Sequence, residues 1–328
     1  MRIAIIGFGS VGRGVAEAIA DNQNGLTVTA VADSKSAAID ESGLNIAEIL
    51  RNKAETGICG SPDITVSDII SSDAYDILVE VSPTNAETAE PALGYIRGAL
   101  AGGKYVVTSN KGPIALKFEE LHALAEAHGV TLRYEATVCG AIPLIHTIEH
   151  GIAGNEISRL YGIFNGTCNY ILTRMAEEGL TYQQALLEAR ELGYAEADPT
   201  YDVQGIDAAI KLVILANAVW GMKKCLDDVD IIGIDRVTSA AIALAEKEDQ
   251  TIRLIGEIDP ADDILRVSPR IIPKSHPLVV RDTLNAVTIE TDLAGEITLI
   301  GKGAGSSETA SAILSDLLFI CDCYGRRD

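Results

Sequence analysis

The chain has 328 residues, 47% of them hydrophobic, which is enough for two ordinary domains with full cores and too apolar for a disordered protein. Its net charge of −21 argues against binding nucleic acid or anionic membranes, both of which demand basic patches. Its six cysteines form no CxxC pair and no apolar run reaches membrane-spanning length, which argues against a zinc site and against a transmembrane segment. Met1-Arg2 runs straight into a core strand with no signal peptide, so a cytoplasmic protein with reduced thiols is expected.

From residue 1 to about 135, apolar strands alternate with amphipathic helices. Strands are predicted at 2–7, 26–32, 76–81, 104–108 and 130–134, and helices at 11–21, 44–55, 86–102 and 116–127. This order predicts an α/β domain of Rossmann type, a doubly wound parallel sheet with helices on both faces. The first strand ends in Gly7-Phe8-Gly9-Ser10-Val11-Gly12. In that pattern the first glycine permits a tight turn, the second lets a pyrophosphate approach the backbone, and the third lets helix and strand pack closely. The second strand ends at Asp33-Ser34-Lys35, roughly 20 residues on, where an acid that binds ribose is expected. Asp33 favours NAD, whereas Lys35 offers a partner for the 2′-phosphate of NADP, so the cofactor is read as NAD(P). Ligands of such sheets bind outside the C-terminal strand ends. Two loops fall there: Ser82-Pro83-Thr84, and the run from Thr108 through Asn110 and Lys111 to Pro113.

The pattern changes at 134–143, where small residues gather at an expected crossover between domains. A helix is predicted at 142–150, strands at 158–162, 287–290 and 296–300, and helices at 168–178, 182–191, 205–221 and 235–247. Few strands and long helices predict an α+β second domain. Thr167 is placed to cap the helix that starts at 168. The run from Gly193 to Lys211 then packs Glu196, Asp198, Asp202, Asp207 and Lys211 into one short stretch. Asp207 and Lys211, four apart, share a helix face, and the surrounding helix is apolar nearly all round. A buried lysine beside a carboxylate costs desolvation and marks a candidate functional site. The stretch 257–286 is broken by prolines and is read as strands and loops. Gly301-Lys-Gly303-Ala-Gly305 precedes an apolar helix at 309–322, and this tail is expected to return to the nucleotide domain. The domain boundaries are therefore drawn at 1–136 with 301–328, and at 137–300.

Taken together, the N-terminal GxGxxG, Asn110-Lys111-Gly-Pro, Glu135-Ala-Thr-Val, Asn165-Gly166-Thr167-Cys-Asn-Tyr-Ile-Leu and the 193–211 run resemble homoserine dehydrogenase over nearly the whole chain. Gly303-Ala-Gly305 and Thr309 extend the likeness to the tail. The 193–211 segment is the specific part, whereas the GxGxxG is shared by many dinucleotide-binding proteins.

The resemblance implies a reversible, NAD(P)-dependent interconversion of L-homoserine and L-aspartate 4-semialdehyde, in threonine and methionine biosynthesis. It implies Lys211 as general acid/base, Lys111 as second choice, and Asp207 as the group that orients Lys211. It gives Glu196 and Asp202 to the substrate ammonium, and Gly166, Thr167 and Tyr194 to the substrate side. A monovalent cation, Na⁺ or K⁺, is implied on the carbonyls of Glu135, Val138, Gly140 and Ile142. The family carries more glycine there than Cys139 and Ala141 provide, which bears on any positive φ in that turn. A homodimer through the second domain and a short form without kinase or regulatory domain are also expected. Two other readings remain open at this point: a dehydrogenase for another amino acid or semialdehyde, and a sensor that binds NAD(P) without turnover.

Overall fold

The structure is a computed structural model, and it describes residues 1–21 and 25–325. The chain forms two compact units: Met1–Gly140 together with the segment from Gly305, and Ala141–Ala304. Of the tail expected to join the nucleotide domain, residues 301–304 fall in the second unit, and residues 326–328 lie outside the described residues.

In the first unit, β1 (Arg2–Ile6), β2 (Thr27–Ala32), β3 (Ala37–Ile39), β4 (Ile77–Glu80), β5 (Tyr105–Thr108) and β6 (Leu132–Arg133) form one sheet. Its order is β3-β2-β1-β4-β5-β6. All neighbours are parallel except β3, which pairs antiparallel to β2. The central strands are continuously apolar because both faces are covered; Ile3, Ala4 and Ile5 of β1 are all fully buried. The order reverses between β1 and β4, which makes the C-terminal ends of those strands the natural ligand crevice. Helices α1 (Ser10–Asp21), α2 (Ile46–Thr56), α3 (Val66–Ile70), α4 (Ala92–Ala101) and α5 (Lys111–Ala127) complete the layers. α1 buries Gly12, Val15, Ala16 and Ile19, its 3.6-residue stripe.

Four features depart from the expectation. The short strand β3 and the helix α3 are absent from the sequence reading, being too short to carry a periodic signal. The helix expected from 86 begins at Ala92. Lys111, expected in a loop, is the first residue of α5, with Asn110 as its cap and Pro113 inside the first turn, where proline is tolerated.

The C-terminal helix (Ser306–Tyr324) packs along α1. Ala310, Ile313, Leu317 and Ile320 join the core made by Ile3, Ile5, Val15 and Ile19. The helices meet closely at Gly14, where a Cβ would lie 3.7 Å from Ala310 Cβ, an ordinary van der Waals contact. Buried Asp316 anchors the helix, accepting from Arg133 Nε at 3.1 Å and from the Glu135 backbone N–H at 2.9 Å.

The second unit corrects the expectation of few strands. Six strands form its sheet: β7 (Ile157–Ile163), β8 (Asp230–Ile231), β9 (Gln250–Asp259), β10 (Ile264–Pro273), β11 (Leu284–Thr291) and β12 (Gly295–Lys302). The order is β12-β11-β7-β9-β10-β8, antiparallel apart from the β10–β8 edge. The proline-broken stretch contains β10, whose Pro269 and Pro273 lie in a strand flanked by β9 and the two-residue β8. Helices α6 (Leu144–His146), α7 (Gly166–Glu178), α8 (Tyr182–Glu191), α9 (Thr200–Val203), α10 (Ile206–Trp220) and α11 (Ser239–Lys247) surround the sheet. The helix expected over 142–150 is one α turn followed by a π turn at Thr147–Gly151. α10 lies close on β9, and a Cβ at Gly256 would meet Phe164 at 2.8 Å and Leu212 at 3.1 Å.

Candidate active site

The glycine loop between β1 and α1 has the shape a dinucleotide requires. Gly7 has φ +102°, and a Cβ there would sit 2.4 Å from the Val81 carbonyl carbon. A Cβ at Gly12 would sit 2.3 Å from Gly7 O, so helix and strand pack in backbone contact. A Cβ at Gly9 meets nothing within 4 Å, which leaves that backbone open to a ligand. The N–H groups of Ser10, Val11 and Gly12 occupy the first turn of α1, where no intrahelical acceptor exists, and form a seat for phosphate. The residues present therefore fit a pyrophosphate.

Asp33, at the end of β2, is held on both oxygens. Oδ1 accepts from the N–H groups of Lys35 (2.7 Å) and Ser36 (2.9 Å), and Oδ2 pairs with Lys53 of α2. Burial works against the charge on Asp33, but Lys53 and these N–H groups outweigh it and pull the carboxyl below its ordinary range. Ser34 and Lys35 are exposed. Lys53 was missed by sequence reasoning; the available signal was a basic residue in the last turn of the following helix.

A second missed residue is Glu80, fully buried at the C-terminal end of β4. Its Oε1 accepts from the Ser82 N–H at 2.9 Å and from the Ser82 hydroxyl, and its Oε2 from Thr108 Oγ1 at 3.1 Å. Thr108 Oγ1 in turn accepts from the Asn110 N–H (2.9 Å), and Asn110 Nδ2 donates to Ser82 O (3.3 Å). Burial pushes the Glu80 carboxyl up, because hydroxyl and amide donors only partly replace lost water. Glu80 thus ties the Ser82-Pro83-Thr84 loop to the Thr108–Asn110 turn that launches α5. The signal for it was an acid closing an otherwise apolar strand.

In the second unit the buried acids converge. Asp207 and Lys211 lie one turn apart on α10, whose residues from Asp207 to Asn217 are all buried. Lys211 Nζ donates to Asp207 Oδ2 at 2.7 Å and to Phe164 O at 2.5 Å. Asn165 Nδ2 reaches Asp207 Oδ2 (2.9 Å) and Asp202 Oδ1 (2.7 Å). Burial, reinforced by the charge of Asp207, raises the Asp202 carboxyl, with Asn165 opposing. The β7–α7 junction presents this asparagine because Asn165 is the N-cap of α7, its Oδ1 accepting from the Cys168 N–H at 2.9 Å. That corrects the expected cap: Thr167 lies inside the helix and donates to Tyr194 O at 2.8 Å. Gly166 is required for packing, since a Cβ there would meet Thr283 O at 2.6 Å. Tyr194 is 45% exposed and its ring leans on Tyr170. Glu196 is exposed on the same loop, with no hydrogen bond to the cluster among the described residues. The structure therefore brings together Asp202, Asp207, Lys211 and Thr167, and leaves Glu196 apart.

In the turn proposed for a cation, Cys139 has φ +58° and Gly140 φ +52°. The non-glycine residue thus takes up the left-handed conformation. The carbonyls of Glu135 and Ile142 each accept one backbone N–H, from Val138 at 3.2 Å and Leu144 at 2.8 Å. Gly303 serves packing, because a Cβ there would overlap Asn285 within 2.2 Å. Gly305, φ +128°, starts the C-terminal helix, and its carbonyl accepts from the Thr309 N–H at 2.9 Å. No helix among the described residues is long and apolar enough to cross a membrane.

A glycine loop of this geometry on a doubly wound sheet, in a chain that also buries a lysine–carboxylate cluster, defines a dinucleotide-dependent oxidoreductase. Two family models match: "Homoserine dehydrogenase, NAD binding domain" over residues 7–135, and "Homoserine dehydrogenase" over 143–318. The homoserine dehydrogenase of Methanocaldococcus jannaschii is 47% identical, with 98% of each chain covered. Among solved structures, an Archaeoglobus fulgidus chain described as a candidate homoserine dehydrogenase superposes with a TM-score of 0.91 at 48% identity, covering 98% of this chain and 99% of that one. A hyperthermophilic archaeal homoserine dehydrogenase in complex with NADPH gives 0.86 at 30% identity, with 98% of each chain covered. The chain belongs to the homoserine dehydrogenase family.

Proposed function

We propose how this chain performs its activity as a homoserine dehydrogenase, the reversible NAD(P)-dependent interconversion of L-homoserine and L-aspartate 4-semialdehyde. One observation carries the assignment of Lys211. Its ammonium has three N–H donors; two are taken by Asp207 Oδ2 and Phe164 O, and the third, which meets no acceptor among the described residues, is left for a substrate oxygen. Buried and held by two acceptors, Lys211 gives a proton to the oxygen formed when the aldehyde is reduced, and takes it back in the other direction. Asp207 fixes the ammonium in position and compensates its charge. Lys111, at the start of α5, is the second lysine assigned to the reaction.

Asp202, tied to Asp207 through Asn165, supplies fixed negative charge for the substrate ammonium, and Glu196 supplies a second carboxylate from its exposed loop. Gly166, Thr167 and Tyr194 border the same cluster through the Thr167–Tyr194 bond. The cofactor is held by Gly7 to Gly12, by Asp33 to Lys35, by the Ser82–Thr84 and Thr108–Lys111 segments, and by Gly303, Gly305 and Thr309. When bound, it supplies or accepts the hydride.

A monovalent cation is assigned to the carbonyls of Glu135, Val138, Gly140 and Ile142, supported by the two successive positive φ values. A homodimer is assigned to the second unit, supported by its edge strand β12, where Ile300 is 54% exposed. The cytoplasm is the assigned compartment, supported by six free cysteines.

The test is spectrophotometric. Purified protein is mixed with L-homoserine and either NAD or NADP at alkaline pH, and absorbance of the reduced nicotinamide is followed. A rise with homoserine and none with serine or threonine is expected, and the faster cofactor settles the NAD(P) preference. No rise with either cofactor, despite measurable binding of NADPH, sinks the assignment.

A further inference from the structure

Within the second unit, a cavity of about 560 Å³ is lined by Ala176 and Glu177 of α7, Glu246 of α11, Thr251 and Arg253 of β9, Lys274, Val279 and Arg281. None of these residues belongs to the Asp202–Asp207–Lys211 cluster. Arg253 is the unusual member. It is 4% exposed, yet no carboxylate pairs with it among the described residues. Its hydrogen bonds run from Nη1 alone, to Thr251 Oγ1 and Ile252 O, both at 2.9 Å. Its buried Nε meets no acceptor.

A guanidinium left this way costs desolvation that the protein recovers only in part, through the field of Glu177. Burial pulls the Arg253 pKa down to about 10, which still keeps it charged at neutral pH. The other cations at the cavity are already paired. Lys274 Nζ lies 3.2 Å from Glu246, and Arg281 Nε lies 3.0 Å from Glu177. Three cations against two carboxylates leave one uncompensated positive charge, in a chain whose net charge is −21.

Two features of that remainder define a ligand. Nη2 makes no hydrogen bond among the described residues, and its paired N–H donors suit the oxygens of a planar oxyanion. A single excess charge matches a monoanion, and Glu177 and Glu246 at the rim disfavour a phosphate dianion. We propose that this cavity is a second ligand site, separate from the substrate cluster, which binds a small monocarboxylate against the guanidinium of Arg253.

The experiment uses the full chain with NADPH at saturation and no amino acid, because L-homoserine carries a carboxylate of its own; acetate held at the substrate cluster is told apart by its indifference to substitution of Arg253. Binding of ¹³C-acetate is followed by saturation-transfer NMR at constant ionic strength, with chloride as the filler salt and inorganic phosphate as a competitor. Saturable acetate binding is expected, weakened roughly tenfold or more in Arg253→Gln, the scale set by a charged hydrogen bond. A several-fold weakening is expected in Lys274→Gln, a half-exposed rim position whose homoserine oxidation rate stays at the wild-type value. If Arg253→Gln does not fold, the double variant Lys274→Gln/Arg281→Gln decides, with weakening supporting the site. Acetate affinity unchanged in the variants, or no saturable binding, overturns the proposal. Phosphate displacing acetate at lower concentration than acetate itself requires overturns the choice of a monocarboxylate. Because homoserine turnover is measured separately, these outcomes stand apart from the assignment of the main reaction.

Discussion

Each unit of this protein buries a carboxylate in its polar site, but the two are compensated differently. Glu80, at the end of a parallel strand, is met by hydroxyls and amide N–H groups and by no cation that bonds it among the described residues. Asp207, on α10, is paired with the ammonium of Lys211. Neutral donors hold a shape without adding mobile charge, so Glu80 can fix two loops while its own proton affinity rises. A cation partner keeps the carboxylate ionised and places a proton donor beside it, which is what chemistry at a carbonyl oxygen needs. One arrangement suits a cofactor cradle and the other suits proton transfer.

The sharpest way to break this contrast is Lys211→Ala. We expect kcat to fall by roughly 10²–10⁴-fold, the usual contribution of a positioned acid or base, with NADPH affinity unchanged. Steady-state kinetics and a fluorescence titration check both halves, and retained turnover would return Lys211 to a structural role.

Next is Asp207→Ala, which leaves the Lys211 charge buried without its anion. A loss of about 3–5 kcal/mol in unfolding free energy is expected from denaturant titration. The double variant Asp207→Leu/Lys211→Met should recover most of that stability while remaining inactive, which separates the structural cost from the chemistry.

Glu80→Gln tests the other side. The folded-state pKa of Glu80 is raised above its ordinary value of 4.5, so the folded protein binds the proton more tightly than the unfolded chain. Its contribution is therefore most favourable below about pH 4.5, and it is lost as pH rises from there through the raised value. The stability difference, wild type minus Glu80→Gln, should decline with pH across that window and level off above it. A difference that rises with pH would show that Glu80 is ionised and stabilised as an anion.

The smallest effect is expected from Ser82→Ala, which removes one donor from Glu80. About 1–3 kcal/mol of stability should be lost at neutral pH, with the NADPH Kd weakened several-fold as the Ser82–Thr84 loop loosens. Equal NADPH affinity in wild type and variant would detach this loop from the cofactor.

Local pattern was sufficient for much of this protein. The alternation of apolar strands and amphipathic helices marked the parallel sheet, because strands buried on both faces read as unbroken apolar runs, as in Ile3 to Ile6. The glycine spacing at 7, 9 and 12 carried its own geometry, and the four-residue spacing of Asp207 and Lys211 put them on one face of α10. What the tertiary structure alone decided were matters of partnership. That Asp33 is held by Lys53, that Asn165 rather than Thr167 caps α7, and that Glu80 joins two loops depend on residues 20 to 42 positions apart or on competition between neighbouring acceptors. The second sheet was similarly hidden. Its strands pair across long separations, as Ile163 of β7 does with Ala286 of β11, and β10 accommodates two prolines, so neither a short period nor composition announces it. Periodicity is a property of neighbours in sequence, whereas the compensation of a buried charge depends on whatever the fold brings within hydrogen-bond reach, and that part of the design is written only in three dimensions.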